Sequence, residues 1–178
     1  DGEEISGVTI LFTVQKLDAG NIIIQEQSAI EPRETAGQLT ARYFAMSGPL
    51  LFRALDLLAD PAFIGTPQDE QRVTHCKKIK KEHGQIDWRR PAEVTANYFR
   101  AFEPWPGTYS FHGDKRIAFT DLEAEADHAT IGEPGCFSFD KKSHALRIAT
   151  GNGNLLVYKL KAAGGKEVNA AAFWNGLK

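Results

Sequence analysis

Asp18 stands in Leu17-Asp18-Ala19-Gly20, a short polar connection between two apolar runs. A carboxylate there can orient a histidine and help move a proton, or it can accept from backbone amides in a turn. On residue types alone the turn role is the more usual. A second cluster is Lys77-Lys78-Ile79-Lys80-Lys81. Such a run neutralises phosphates, a contribution that depends on salt and not on base sequence, or else it is a solvated charged surface. Trp105 lies between Pro104 and Pro106; it suits a packed, rigid corner, the commoner use, or stacking on a base. His75, Cys76 and His83 are close in sequence but fit no zinc spacing, so no metal is expected. His112, His128 and His144 sit in turn-rich polar contexts and read as surface residues. Gly151 and Gly153 fall between two strand-like runs, which is not the strand-to-helix setting of a phosphate-binding loop.

The elements that must position these groups change character along the chain. Residues 7–14 and 21–30 are rich in β-branched and apolar side chains and predict two strands, joined by the connection that carries Asp18. Thr35 is the expected N-cap of a helix whose apolar stripe runs from Leu39 to Leu58. Ser47-Gly48-Pro49 should kink or split that helix, because proline removes a backbone donor. Two strands and one helix bury too little to stand alone, so the chain is expected to begin in the middle of an α/β domain. Residues 62–85 read as a basic linker. Pro91 opens a helix ending at Phe102, and from Thr108 the apolar period becomes two. Hairpin turns are expected at Gly113-Asp114 and at 151–154. A closing helix is expected within 168–174. About five short strands with turns every 8–12 residues predict a small barrel or sandwich.

Apolar residues make up 42% of the 178-residue chain, which is enough for a core. No run approaches the roughly 18 apolar residues of a membrane span. The start Asp1-Gly2-Glu3-Glu4 lacks the basic character of a signal peptide, so export is not expected. Cys76 and Cys136 are expected to be reduced thiols of a cytosolic protein. The net charge of −2 is unevenly spread, −7 over residues 1–70 and +5 over 71–178, and the basic half suits a polyanionic partner.

Four stretches, in order along the chain, resemble the methionyl-tRNA formyltransferase family. They are Gly7-Val8-Thr9-Ile10 with Leu17-Asp18-Ala19-Gly20-Asn21; Lys78-Ile79 and Lys81-Glu82 with Ile86-Asp87-Trp88; Arg100-Ala101-Phe102 with Pro104-Trp105-Pro106-Gly107; and Ala149-Thr150-Gly151-Asn152-Gly153, backed by Gly165-Lys166 and Phe173-Trp174-Asn175-Gly176. The resemblance implies the α/β end of a Rossmann-like formyltransferase domain (1–61), a basic linker (62–85) and a small OB-like β-barrel domain that binds tRNA (86–178). It implies transfer of a formyl group from 10-formyltetrahydrofolate, a donor substrate, to the amino group of initiator methionyl-tRNA, by a monomeric cytoplasmic enzyme with no membrane attachment.

By motif match Asp18 is the catalytic aspartate, Leu17 and Gly20 belong to the folate loop, and Lys78 leads Lys81, Lys77 and Lys80 as tRNA contacts. The family's Asn-x-His and Ser-Leu-Leu-Pro segments do not occur in this sequence, so the 178 residues alone are expected to be inactive. Val14, Lys16 and Asn21 also stand where the family usually has Asp, Gly and Asp. The competing readings are a different 10-formyltetrahydrofolate-dependent formyltransferase or hydrolase, and a non-enzymatic OB-type nucleic-acid-binding module.

Overall fold

The computed structural model describes residues 2–125 and 129–177, so His128 lies outside the described residues. The chain folds as two compact units, Glu3–Lys78 and Ile79–Lys178, with Gly2 belonging to the second.

In the first unit β1 (Ile5–Leu11) and β2 (Ile22–Ala29) form an antiparallel pair running from Ile5 opposite Ala29 to Leu11 opposite Ile22. Helix α1 (Ala36–Leu58) packs on both strands. It starts at a reciprocal cap: the Gln38 amide donates to Thr35 Oγ1, and the Thr35 amide donates to Gln38 Oε1 at 2.9 Å. Arg42 fastens the helix to β2, because its guanidinium donates to Ser28 Oγ at 2.8 Å and the Ala29 carbonyl at 2.7 Å while gripping Glu34. The expected split at Pro49 does not occur. The helix continues through it, with Ser47 Oγ donating to the Phe44 carbonyl at 2.8 Å in the turn before. Burial in this unit is thin, as two strands and a helix dictate: on α1 only Leu50 and Ala54 are buried, while Phe44 and Phe52 are 75% and 71% exposed.

The second unit is built on a six-stranded sheet whose hydrogen-bonded ladders are all antiparallel. Its strands are β3 (Thr108–His112), β4 (Lys115–Ala124), β5 (Phe137–Asp140), β6 (Ala145–Ala149), β7 (Asn154–Ala162) and β8 (Glu167–Asn169). The order is β3-β4-β7-β6-β5, with β8 on the far half of β7. Strand β7 is the hub, and Leu155, Val157 and Leu160 on it are almost wholly buried. Helix α2 (Ala92–Phe102) lays Ala92, Ala96 and Phe99 into this core, and α3 (Ala170–Asn175) adds Ala170.

Register shifts in β4 between Phe119 and Leu122 mark a bulge, which strengthens local twist and bends a strand. The two ends of the strand path come close enough for the rings of His112 and Phe137 to meet at 5.7 Å. No ladder joins β3 to β5 among the described residues, so the OB-like barrel implied by the family resemblance is not closed; the sheet remains open at that seam. The hairpin turns, α2 and the closing helix fall where the sequence predicts them. Strand β8 has no counterpart in the sequence pattern, because three residues carry no readable period.

Candidate functional site

The loop between β1 and β2 carries Asp18. Its backbone is left-handed, φ 54°, a region in which aspartate is among the few non-glycine residues found with any frequency. The loop is held by main-chain and amide contacts. The Phe12 amide donates to the Asn21 carbonyl at 2.9 Å. Gly20 is buried against Phe12, and a Cβ there would lie 1.7 Å from the Phe12 carbonyl oxygen, so only glycine fits. From the other side Gln68 Nε2 donates to the carbonyls of Asp18 and Gly20, both at 2.8 Å, and Asn21 Nδ2 donates to the Ile64 carbonyl at 2.8 Å. Ile22 and Thr66 exchange two backbone bonds of 2.8 Å.

These contacts point Asp18 outward. Its carboxylate makes no hydrogen bond or ion pair with any described residue, so the fixed backbone of the loop presents this group and does not use it to cap a turn. Non-glycine residues held in the left-handed region tend to cluster at functional sites. Leu17 is 88% exposed beside it. Lys16 turns toward Glu70, 3.6 Å away, as an exposed pair of little energetic weight. The strap of residues 64–68 is invisible to sequence reading: nothing in Pro67-Gln68 signals that an amide will bridge two carbonyls about fifty residues upstream.

The second candidate is the lysine run. Residues 73–80 have no regular structure, and Lys77, Lys78, Lys80 and Lys81 are all exposed with no ion pair among the described residues. The run straddles the boundary at 78/79. Beyond it a one-turn helix, Lys81–Gly84, leads into a backbone bond from the Ile86 amide to the Tyr109 carbonyl at 2.8 Å. The stretch 62–85 is therefore anchored at both ends, by residues 64–68 in the first unit and 84–86 in the second. Asp87 follows, gripped by Arg89 Nε at 2.8 Å and Nη2 at 2.9 Å, which pulls its carboxyl down to about 2. Among the described residues no group of three or more His, Cys, Asp or Glu could hold a metal ion, and no helix is long and apolar enough to cross a membrane.

The family model described as "Formyl transferase, C-terminal domain" matches residues 78–178, and that described as "Formyl transferase" matches residues 1–55. The chain belongs to the formyl transferase family. Two enzymes named methionyl-tRNA formyltransferase, from Moorella thermoacetica and Carboxydothermus hydrogenoformans, are each 32% identical to it over 99% of its length. The chain spans a little over half of each relative, 56% and 57%.

Two solved structures share the fold. HypX from Aquifex aeolicus in complex with tetrahydrofolic acid has a TM-score of 0.67 at 20% identity, over 97% of this chain and 30% of that one. WlaRD, a sugar 3N-formyl transferase, has a TM-score of 0.67 at 18% identity, over 88% of this chain and 55% of that one. The formyl transferase fold expected from the motifs is thus borne out at the level of the family, without the closed OB-like barrel.

Proposed function

We propose that this chain is the carboxyl-terminal part of a methionyl-tRNA formyltransferase, with a folate-side loop at Leu17–Gly20 and a tRNA-binding half at residues 86–178. The observation that carries the reading is the alignment of almost the whole chain, at 32% identity, with enzymes of that name. The charge balance agrees, since the basic half is the one that would meet the polyanion.

In formyl transfer the methionyl amine attacks the formyl carbon carried on a folate nitrogen. A tetrahedral oxyanion forms, the bond to the folate nitrogen breaks, and the amine gives up a proton. Asp18 is assigned the carboxylate that orients the catalytic histidine and assists that proton transfer. The histidine and its neighbouring asparagine would come from outside these residues. Leu17 and Gly20 shape the folate loop around 10-formyltetrahydrofolate. Lys78, Lys81, Lys77 and Lys80 hold tRNA phosphates.

The test is Asp18→Asn in a longer protein that carries this chain together with an upstream Asn-x-His. The side-chain shape is kept and the charge lost, so kcat should fall at least tenfold while the KM for the folate changes much less. An unchanged kcat removes Asp18 from the mechanism. A formyl enzyme acting on another amine is the second reading, favoured by the fold shared with the sugar enzyme. That enzyme class has no use for tRNA, so salt-dependent tRNA binding by this chain separates the two.

A further inference from the structure

Trp105 is 55% exposed, and it belongs to none of the apolar residues packed in or against the core of the second unit. The corner that carries it is nevertheless fixed. The Glu103 amide donates to the Phe99 carbonyl at 3.1 Å, and the Gly107 amide donates to the Phe102 carbonyl at 2.9 Å. Gly84 sits directly against it: a Cβ there would lie 2.1 Å from the Gly107 carbonyl oxygen and 3.5 Å from Pro106 Cγ. The end of the lysine run is therefore locked onto the same corner as the exposed indole. Residues 80–90 bring Lys80, Lys81, Arg89 and Arg90 against Glu82 and Asp87, and Asp87 is already neutralised by Arg89.

The same segment lines a small recess of about 60 Å³ with Asp87, Arg90 and Tyr98, to which Trp105 does not contribute. The Arg90 guanidinium lies over the Tyr98 ring at 4.7 Å. A wide aromatic face on a rigid turn, with a lysine-bearing segment seated against that turn, is the combination that receives an unpaired nucleotide.

We propose that Trp105 stacks on one unpaired base of the bound tRNA, with the lysines of the segment seated against its corner meeting the neighbouring phosphates. The inference rests on the tRNA reading above and adds a contact of a different kind. Lysine–phosphate contacts scale with salt. Stacking does not.

The experiment titrates fluorescein-labelled initiator tRNA with the 178-residue chain and its Trp105→Ala and Trp105→Tyr variants at several salt concentrations. Trp105→Ala should weaken binding about 5- to 150-fold at every salt concentration, with the salt slope unchanged, and Trp105→Tyr should restore part of the loss. If the wild-type chain binds with a clear salt slope and Trp105→Ala binds as well as it does, stacking is refuted and the tRNA reading stands. If Trp105→Ala changes the slope, the indole acts through the lysines and the proposal is overturned. If the wild-type chain does not bind, the functional reading itself fails. Should Trp105→Ala not fold, acrylamide quenching of the wild-type chain decides. Its exposed indole should become shielded on adding tRNA, and undiminished quenching overturns the proposal.

Discussion

Removing the lysine charges should change how steeply tRNA binding depends on salt, by an amount the structure sets. The four ammonium groups of Lys77, Lys78, Lys80 and Lys81 are exposed and make no ion pair among the described residues. Their replacement therefore breaks nothing in the fold, and the unfolding midpoint should correspond to a stability change within about 0.5 kcal/mol. Each phosphate contact contributes about 0.7–0.9 to the slope of log K against log salt. Lys78→Ala with Lys81→Ala should flatten the slope by about 1–2 units, and replacing all four by about 3. Between 50 and 200 mM salt one contact corresponds to roughly a threefold change in affinity, so the double variant should lose about ninefold less than wild type over that range. Fluorescence anisotropy with initiator and elongator tRNA measures it. Both should weaken alike, because phosphate contacts carry no base information. A double variant that binds less tightly at every salt concentration with an unaltered slope would refute the phosphate assignment. A wild-type chain with no salt-dependent binding would count against the tRNA assignment as a whole.

Other outcomes follow from single contacts. Gly20→Ala puts a methyl into the Phe12 carbonyl and must open the loop; it should cost about 1–3 kcal/mol in the first unit, and an unchanged unfolding midpoint would contradict the packing. Glu103 has its pKa raised, first by burial and second by the nearby Glu167. A raised carboxyl favours folding below its unfolded value near 4.3 and loses that contribution as pH rises through the folded value, so Glu103→Gln should melt higher than wild type at pH 7 and equal to it below about pH 4. A gap independent of pH would exclude the charge as its cause. The 178-residue chain alone should not formylate methionyl-tRNA, since it holds a single candidate from the family's catalytic trio; measurable turnover by the purified chain would contradict this.

What the sequence reveals follows from period, caps and motifs. The Thr35 cap, the start of α2 at Pro91 and the turns at 113–114 and 151–154 are local decisions of a few residues, and each occurs where expected. Pro49 misleads because a proline costs one bond and a local clash, whereas the helix around it is held by the Arg42 clamp and by Leu50 and Ala54 packed against the strands. Sheet closure is not readable either, since strand count does not say whether the last strand pairs with the first; that depends on twist accumulated at the β4 bulge.

The same division runs through the candidate site. The motif marks Asp18, but the groups that set its direction are Gln68 and the Phe12 carbonyl, one of them about fifty residues away and the other a backbone atom with no side-chain identity. Trp105 reverses the pattern: its neighbours Pro104 and Pro106 suggest packing, and only the exposed ring and the lysine-bearing segment seated against its corner make it a candidate for contact with RNA. Motifs name the groups that touch a substrate. The orientation of those groups comes from distant amides and carbonyls, whose role is decided by geometry that any residue type can supply.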